Sequence, residues 1–177
     1  MPPDLWLDDI LSGKAASPPA SATLPDKPVI WVDADAMPRP LREVVINAAE
    51  RVHIDVLFVA NIRLRLPDTP LVRSVQVAAG PDVADDYIAD NARAGDLAIS
   101  QDIPLAARLV PMGVHVLQTS GRELDEASVQ EALALRDLKE ALREGGEMTG
   151  GPPPFGNRQK QLFANALDRW LTRSLGT

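Results

Sequence analysis

The stretch VIWVDADAMP, residues 29–38, decides the fold. Val29, Ile30, Trp31 and Val32 form an apolar run too short for a helix and typical of a strand buried on both faces. Pro38 and Pro40 then open a helix, in which Leu41, Val44, Val45, Ala48 and Ala49 recur with the 3.6-residue period. Outward from this pair the alternation repeats. DVLFVA (55–60), RSVQVA (73–78), LAIS (97–100) and VHVLQ (114–118) read as further strands. Between and after them come a helix from Asp82 to about Ala94, stopped by Gly95, and IPLAARLV (103–110). A long helix follows from about Glu126 to Glu144, then a rigid loop at TGGPPPFG (149–156). Gln159–Leu175 reads as a closing amphipathic helix carrying Leu162, Phe163, Ala166, Leu167, Trp170 and Leu171. Short apolar strands alternating with helices predict an α/β fold, with a mostly parallel sheet of about five strands between two helical layers.

The chain of 177 residues fits one domain, and its 45% apolar and 24% charged composition is that of a folded globular protein. Before the first strand, GKAASPPASATLPDKP (13–28) lacks apolar period and reads as a linker. The expected organisation is therefore a flexible extension over 1–28 and a single α/β domain over 29–177. Leu5, Trp6, Leu7, Ile10 and Leu11 make either a short docking turn or a frayed tail. No stretch approaches the roughly 20 apolar residues of a membrane span. The N-terminus carries aspartates where a secretion signal has basic residues, so a cytoplasmic protein is expected. The absence of cysteine excludes disulfides, thiolate metal sites and cysteine nucleophiles. With His53 and His115 alone, a site built on several histidines is excluded too, and both read as structural.

A net charge of −7 argues against non-specific coating of nucleic acid. Locally the balance differs. From Met37 to Val75, Arg39, Arg42, Arg51, Arg63, Arg65 and Arg73 outnumber Glu43, Glu50, Asp55 and Asp68. From Asp82 to Asp102 the only cation is Arg93, against Asp82, Asp85, Asp86, Asp90, Asp96 and Asp102.

In doubly wound sheets ligands bind outside the carboxyl ends of the strands, and that rule sorts the aspartates. Asp33 and Asp35 follow the first strand, and an extended backbone would point both the same way. Asp102 follows LAIS. Asp82 stands at the start of the helix after the third strand, and Asp85 lies one turn on. Asp96 precedes LAIS, about 13 Å or more from Asp102, and belongs to the opposite edge; Asp86 and Asp90 are doubtful members. Helix capping alone would account for Asp82 or Asp102. It does not account for Asp33 and Asp35 together, since two carboxylates about 4 Å apart repel by about 4 kcal/mol at an effective dielectric near 20. No lysine lies between residues 28 and 138, so a metal is the natural counter-charge. Oxygen ligands without His or Cys point to Mg²⁺ or Mn²⁺.

VDADAMP (32–38), FVAN (58–61), VAAGPDVAD (77–85), AGDLAISQDIPLA (94–106), RDLKE (136–140) and TGGP (149–152) together resemble the YaiI/YqxD family of bacterial proteins, from about residue 29 to the end. That family is similar to the PIN-like nuclease superfamily. The resemblance implies a three-layer α/β/α sandwich and a cluster of acids that binds divalent metal. By motif, Asp33 matches the first superfamily aspartate, Asp82 or Asp85 the second, and Asp102 the one after the fourth strand. Two positions depart from the pattern: Met37 stands where relatives often carry cysteine, and Gln159 where they tend to carry aspartate.

The expected mechanism is metal-dependent phosphodiester hydrolysis by Asp33, Asp35, Asp82, Asp85 and Asp102, with Asp33, Asp35, Asp82 and Asp102 as metal ligands. The substrate-binding candidates are Arg39, Asn61, Arg63, Arg65 and Ser100, the arginines gripping phosphates. Three Trp, one Tyr and three Phe supply few stacking platforms, so RNA, the expected partner, would be held by its backbone. Homo-oligomers are compatible with this reading; a membrane is not. An aspartyl phosphatase of the haloacid-dehalogenase kind would imitate Asp33-Ala34-Asp35, but it needs a lysine on its phosphate. The non-enzyme alternative is a catalytically inactive PIN-like module that binds metal or a partner.

Overall fold

The computed structural model describes residues 27–67, 69–144 and 156–175. The expected N-terminal extension, apart from Lys27 and Pro28, lies outside the described residues, as does the TGGPPPFG loop before Gly156.

The run read first from the sequence is the central strand. β1 (Ile30–Asp33) has three completely buried residues, Ile30, Trp31 and Val32. It runs parallel between β2 (Val56–Ala60) and β4 (Leu97–Ile99), with Ile30 opposite both Val56 and Leu97. β3 (Val72–Gln76) continues the sheet beyond β2, and β5 (His115–Leu117) beyond β4, both parallel. A two-residue strand that the sequence reading did not anticipate, β6 (Glu123–Leu124), closes the far edge antiparallel to β5. The resulting order is β3-β2-β1-β4-β5-β6.

The helices are α1 (Arg39–Val52), α2 (Val83–Asn91), α3 (Ile103–Leu109), α4 (Glu126–Glu144) and α5 (Asn157–Leu175). Alternate strand residues face opposite ways, so the sheet has a core on each side. Ile30, Val32 and Phe58 pack with Leu41 and Val45 of α1 and with Phe163, Leu167 and Trp170 of α5. Trp31, Leu57 and Val59 pack with Tyr87 and Ile88 of α2, Leu105 and Leu109 of α3, and Val129 of α4. The architecture is the expected α/β sandwich in three layers. Each fully buried side chain of this size contributes about 1.5–3 kcal/mol. No helix among the described residues is long and apolar enough to cross a membrane.

Asp96 holds the amino edge of the sheet together. Its carboxylate is buried and accepts Val29 N–H at 3.0 Å, Trp31 Nε1–H at 3.0 Å and Arg93 N–H at 2.9 Å. The same bonds draw the chain out of α2, which ends at Asn91 and not near Ala94 as its composition suggested. Asn91 Nδ2 donates back to Tyr87 O at 2.7 Å and satisfies a carbonyl of the last turn. At the other edge, the turn joining β5 to β6 presses on α5. Gly121 adopts φ +90°, and a Cβ there would lie 2.8 Å from the Leu162 carbonyl, so both conformation and space require glycine.

Candidate functional site

The strand order reverses at β1. The chain leaves it toward β2 on one side and returns, through β4, on the other. Helices diverge at such a point, and a crevice opens at the carboxyl ends of the two strands.

Asp33 ends β1 at this crevice and is half-buried. Buried Ser100 follows β4, and its hydroxyl donates to Asp33 Oδ2 at 2.9 Å. Ser100 Oγ also accepts Asp102 N–H at 3.0 Å. Asp102 in turn caps α3, its Oδ1 accepting Leu105 N–H at 2.8 Å. Asp35 is reached differently from the expected alternation. The chain leaves the extended conformation after Asp33 and winds into a single 3₁₀ turn, Ala34–Ala36, closed by Met37 N–H to Ala34 O at 3.3 Å. Alternation therefore does not govern where Asp35 points. Its exposed Oδ1 accepts Asn61 N–H at 3.4 Å, tying the end of β2 to the turn.

Asp82 and Asp85 come from the start of α2. Asp82 occupies the N-cap position, but its side chain makes no capping bond, contrary to the cap expected of it. The reason lies in the backbone. Asp82 sits in the left-handed region at φ 65°, whereas a capping side chain works from an extended residue. Left-handed backbone at a residue other than glycine is uncommon and concentrates at functional sites. Asp85, one turn into the helix, is partly buried beside Asp102. Burial first, then Asp102 and the charges of Asp33 and Asp82, push the Asp85 carboxyl up to about 7. Burial also raises Asp33; the Ser100 hydrogen bond opposes that rise, and Asp35 and Asp102 add to it. Arg108 does act on Asp85: it pairs with Asp86 and is raised first by that hydrogen bond, then in part by the charges of Asp90 and Asp85. Asp86 is turned away and pairs with Arg108 at 2.6 Å.

Donor chemistry at this crevice is that of a hard cation's ligands, since every donor is oxygen, and Arg108, which acts on Asp85, is already paired with Asp86. Among the described residues, no three His, Cys, Asp or Glu side chains are grouped so as to enclose a metal ion. The arrangement is open, with Asp35 and Asp82 exposed at its rim. An open arrangement suits Mg²⁺, which keeps most of its water and takes one or two carboxylates together with substrate phosphate. The histidines lie elsewhere. His53 ends α1, and His115 begins β5, its ring edge-on to Trp170 at 6.4 Å.

The arginines read as phosphate contacts lie on the β2 side. Arg39 is the exposed first residue of α1, and Arg63 and Arg65 are exposed in the segment after β2. On the β5 side the crevice continues into a cleft of about 480 Å³ between the β4–α3 turn and α4. Gln101 and Asp102 form its near wall, and Arg122, Arg136, Lys139 and Arg143 its far one. Sequence reasoning missed these cations. Their signal was the spacing of 136, 139 and 143 on one helical face, uninterpretable until α4 had a neighbour.

Comparison with known proteins gives the lineage. Proteins named UPF0178 from Psychromonas ingrahamii and Myxococcus xanthus are 50% and 52% identical over 148 residues, covering 84% of this chain and 98% and 97% of theirs. A third, from Geobacter metallireducens, is 51% identical over 144 residues, 81% of this chain and 93% of its own length. No solved structure matches the chain. The pattern of the uncharacterized YaiI/YqxD family matches residues 31–173, from the second residue of β1 into the last turns of α5. The chain belongs to the YaiI/YqxD family.

Proposed function

We propose that this chain is a cytoplasmic, PIN-like nuclease that hydrolyses phosphodiester bonds of RNA with the help of Mg²⁺ or Mn²⁺. The observation that carries the reading is the position of Asp85 beside Asp102 and Asp33, at the reversal of strand order, where Arg108 is already paired with Asp86. Asp33, Asp85 and Asp102 would hold the metal, with Asp35 and Asp82 at the rim. Bound there, the ion supplies the positive charge that activates water and offsets charge developing on the phosphate. The chain's own groups do the rest. Ser100 fixes one oxygen of Asp33 and the backbone of Asp102, so two carboxylates from different strands keep one spacing. Asp85, which titrates at about 7 without metal, would give up its proton as the ion binds. Arg39, Arg63 and Arg65 are free to grip phosphates on one flank, and Asn61 orients Asp35.

The lack of a preformed three-acid cage favours one rival, an inactive module that binds a partner through the same face. A cleavage assay on generic single-stranded RNA, with EDTA, Mg²⁺ and Mn²⁺ in turn, decides between them. Cleavage is expected only with metal and is lost in Asp33→Ala. Metal that neither permits cleavage nor raises the melting temperature removes the nuclease reading.

A further inference from the structure

We infer that the cleft between the β4–α3 turn and α4 is the track along which a single strand of RNA enters the carboxylate site. The inference takes its phosphodiester substrate from the reading above and adds the surface that binds it. Four cations line the cleft, Arg122, Arg136, Lys139 and Arg143, against Asp102 and Glu140. This excess stands out on a chain of net charge −7. Glu140 is occupied by Arg136 on the next turn at 3.5 Å. Lys139 and Arg143 make no ion pair among the described residues, so their charge is available to a ligand.

The geometry fits a strand. Residues 136, 139 and 143 share one face of α4 and run about 10 Å along its axis, at about 1.5 Å per residue. That run is longer than one phosphate group, which distinguishes a backbone track from a pocket for a free anion. The cleft, of about 480 Å³, is walled by helix on one side and a turn on the other. No aromatic side chain lines it, so bases have nothing to stack on and recognition rests on phosphates and sugars. Asp102 belongs to the lining, which places the cleft's inner end at the acids.

The test is binding, kept apart from cleavage by working in EDTA. Anisotropy of a fluorescein-labelled oligouridylate is measured over a salt series for the native protein, Lys139→Ala/Arg143→Ala, and Arg169→Ala. Arg169 is exposed on α5, in the opposite helical layer, and serves as control. Single strands contribute about 0.7 to the salt slope per phosphate contact, so the double variant should lose about 1.4 in slope and about tenfold in low-salt affinity. Arg169→Ala should match the native protein, and an RNA duplex should compete poorly. Native affinity and slope in the double variant, equal competition by duplex, or no binding by the native protein would each overturn the inference. The two readings fail separately. Binding that maps to Lys139 and Arg143 without cleavage in any metal removes only the nuclease. Cleavage beside unaltered binding in the double variant removes only the track.

Discussion

Ser100 Oγ stands 2.9 Å from Asp33 Oδ2, so a hydroxyl at the end of one strand fixes a carboxylate at the end of its neighbour. Ser100→Ala leaves Asp33 without that donor and Asp102 N–H without its acceptor. The expected loss is about 1–2 kcal/mol at neutral pH, read from urea unfolding. The bond is what restrains the raised Asp33 carboxyl, so its removal raises it further. The penalty should therefore shrink as pH falls and Asp33 protonates in both proteins. Equal stability of variant and native protein at neutral pH would show the bond to be idle.

Asp85 gives metal-free stability a definite pH dependence. Its carboxyl titrates at about 7 in the folded protein, against 3.8 as the ordinary value. The folded state then holds more protons than the unfolded one across that interval, and stability falls as pH rises through it. In EDTA the denaturant midpoint should drop between about pH 4 and about pH 7. Asp85→Asn should flatten that drop, and saturating Mg²⁺ should flatten it in the native protein by displacing the proton. A drop of the same size in Asp85→Asn assigns it to another group.

Two substitutions at Asp102 separate its roles. Asn keeps the cap on Leu105 N–H and removes one charge from beside Asp85, so metal-free Asp102→Asn should be at least as stable as native. Ala removes the cap as well and should cost about 1 kcal/mol relative to Asn. Both should lose the rise in melting temperature with Mg²⁺. A metal response that survives in Asp102→Asn would take Asp102 out of the ligand set.

Asp96 is the counter-example within the same acidic run. Two of its three accepted hydrogen bonds are buried and the third partly so, and Asp96→Ala strands the Trp31 indole N–H and two backbone N–H groups. A loss of at least about 3 kcal/mol is expected, at about 1–3 for each donor left unpaired. RNA cleavage per folded molecule should be unchanged. Reduced specific activity at full folding would contradict a purely structural role.

The three central strands were legible because a strand buried on both faces must be apolar throughout, as VIWV, VLFVA and LAI are. β6 was not, since Glu123–Leu124 is too short to carry a period. The acids at the carboxyl edge followed from strand order alone. Their detailed placement did not: Asp35 depends on a 3₁₀ turn and Asp82 on a left-handed backbone, and neither leaves a periodic trace. The cations of α4 were visible as residues, but which element they face is a tertiary fact.

The order β3-β2-β1-β4-β5-β6 also decides when the site comes into being. The first three strands are drawn from residues 30–76 and the last three from 97–124, so each half of the sheet is continuous in the chain. During synthesis the first half can pair before β4 has left the ribosome, with β1 as a temporary open edge. Asp33 then stands at the end of that edge, clear of Ser100 and Asp102. When β4 arrives it covers the open edge with main-chain bonds, and in the same step Ser100 closes on Asp33. Bringing Asp102 to Asp33 is thus deferred until β4 docks, when pairing with β1 compensates for it.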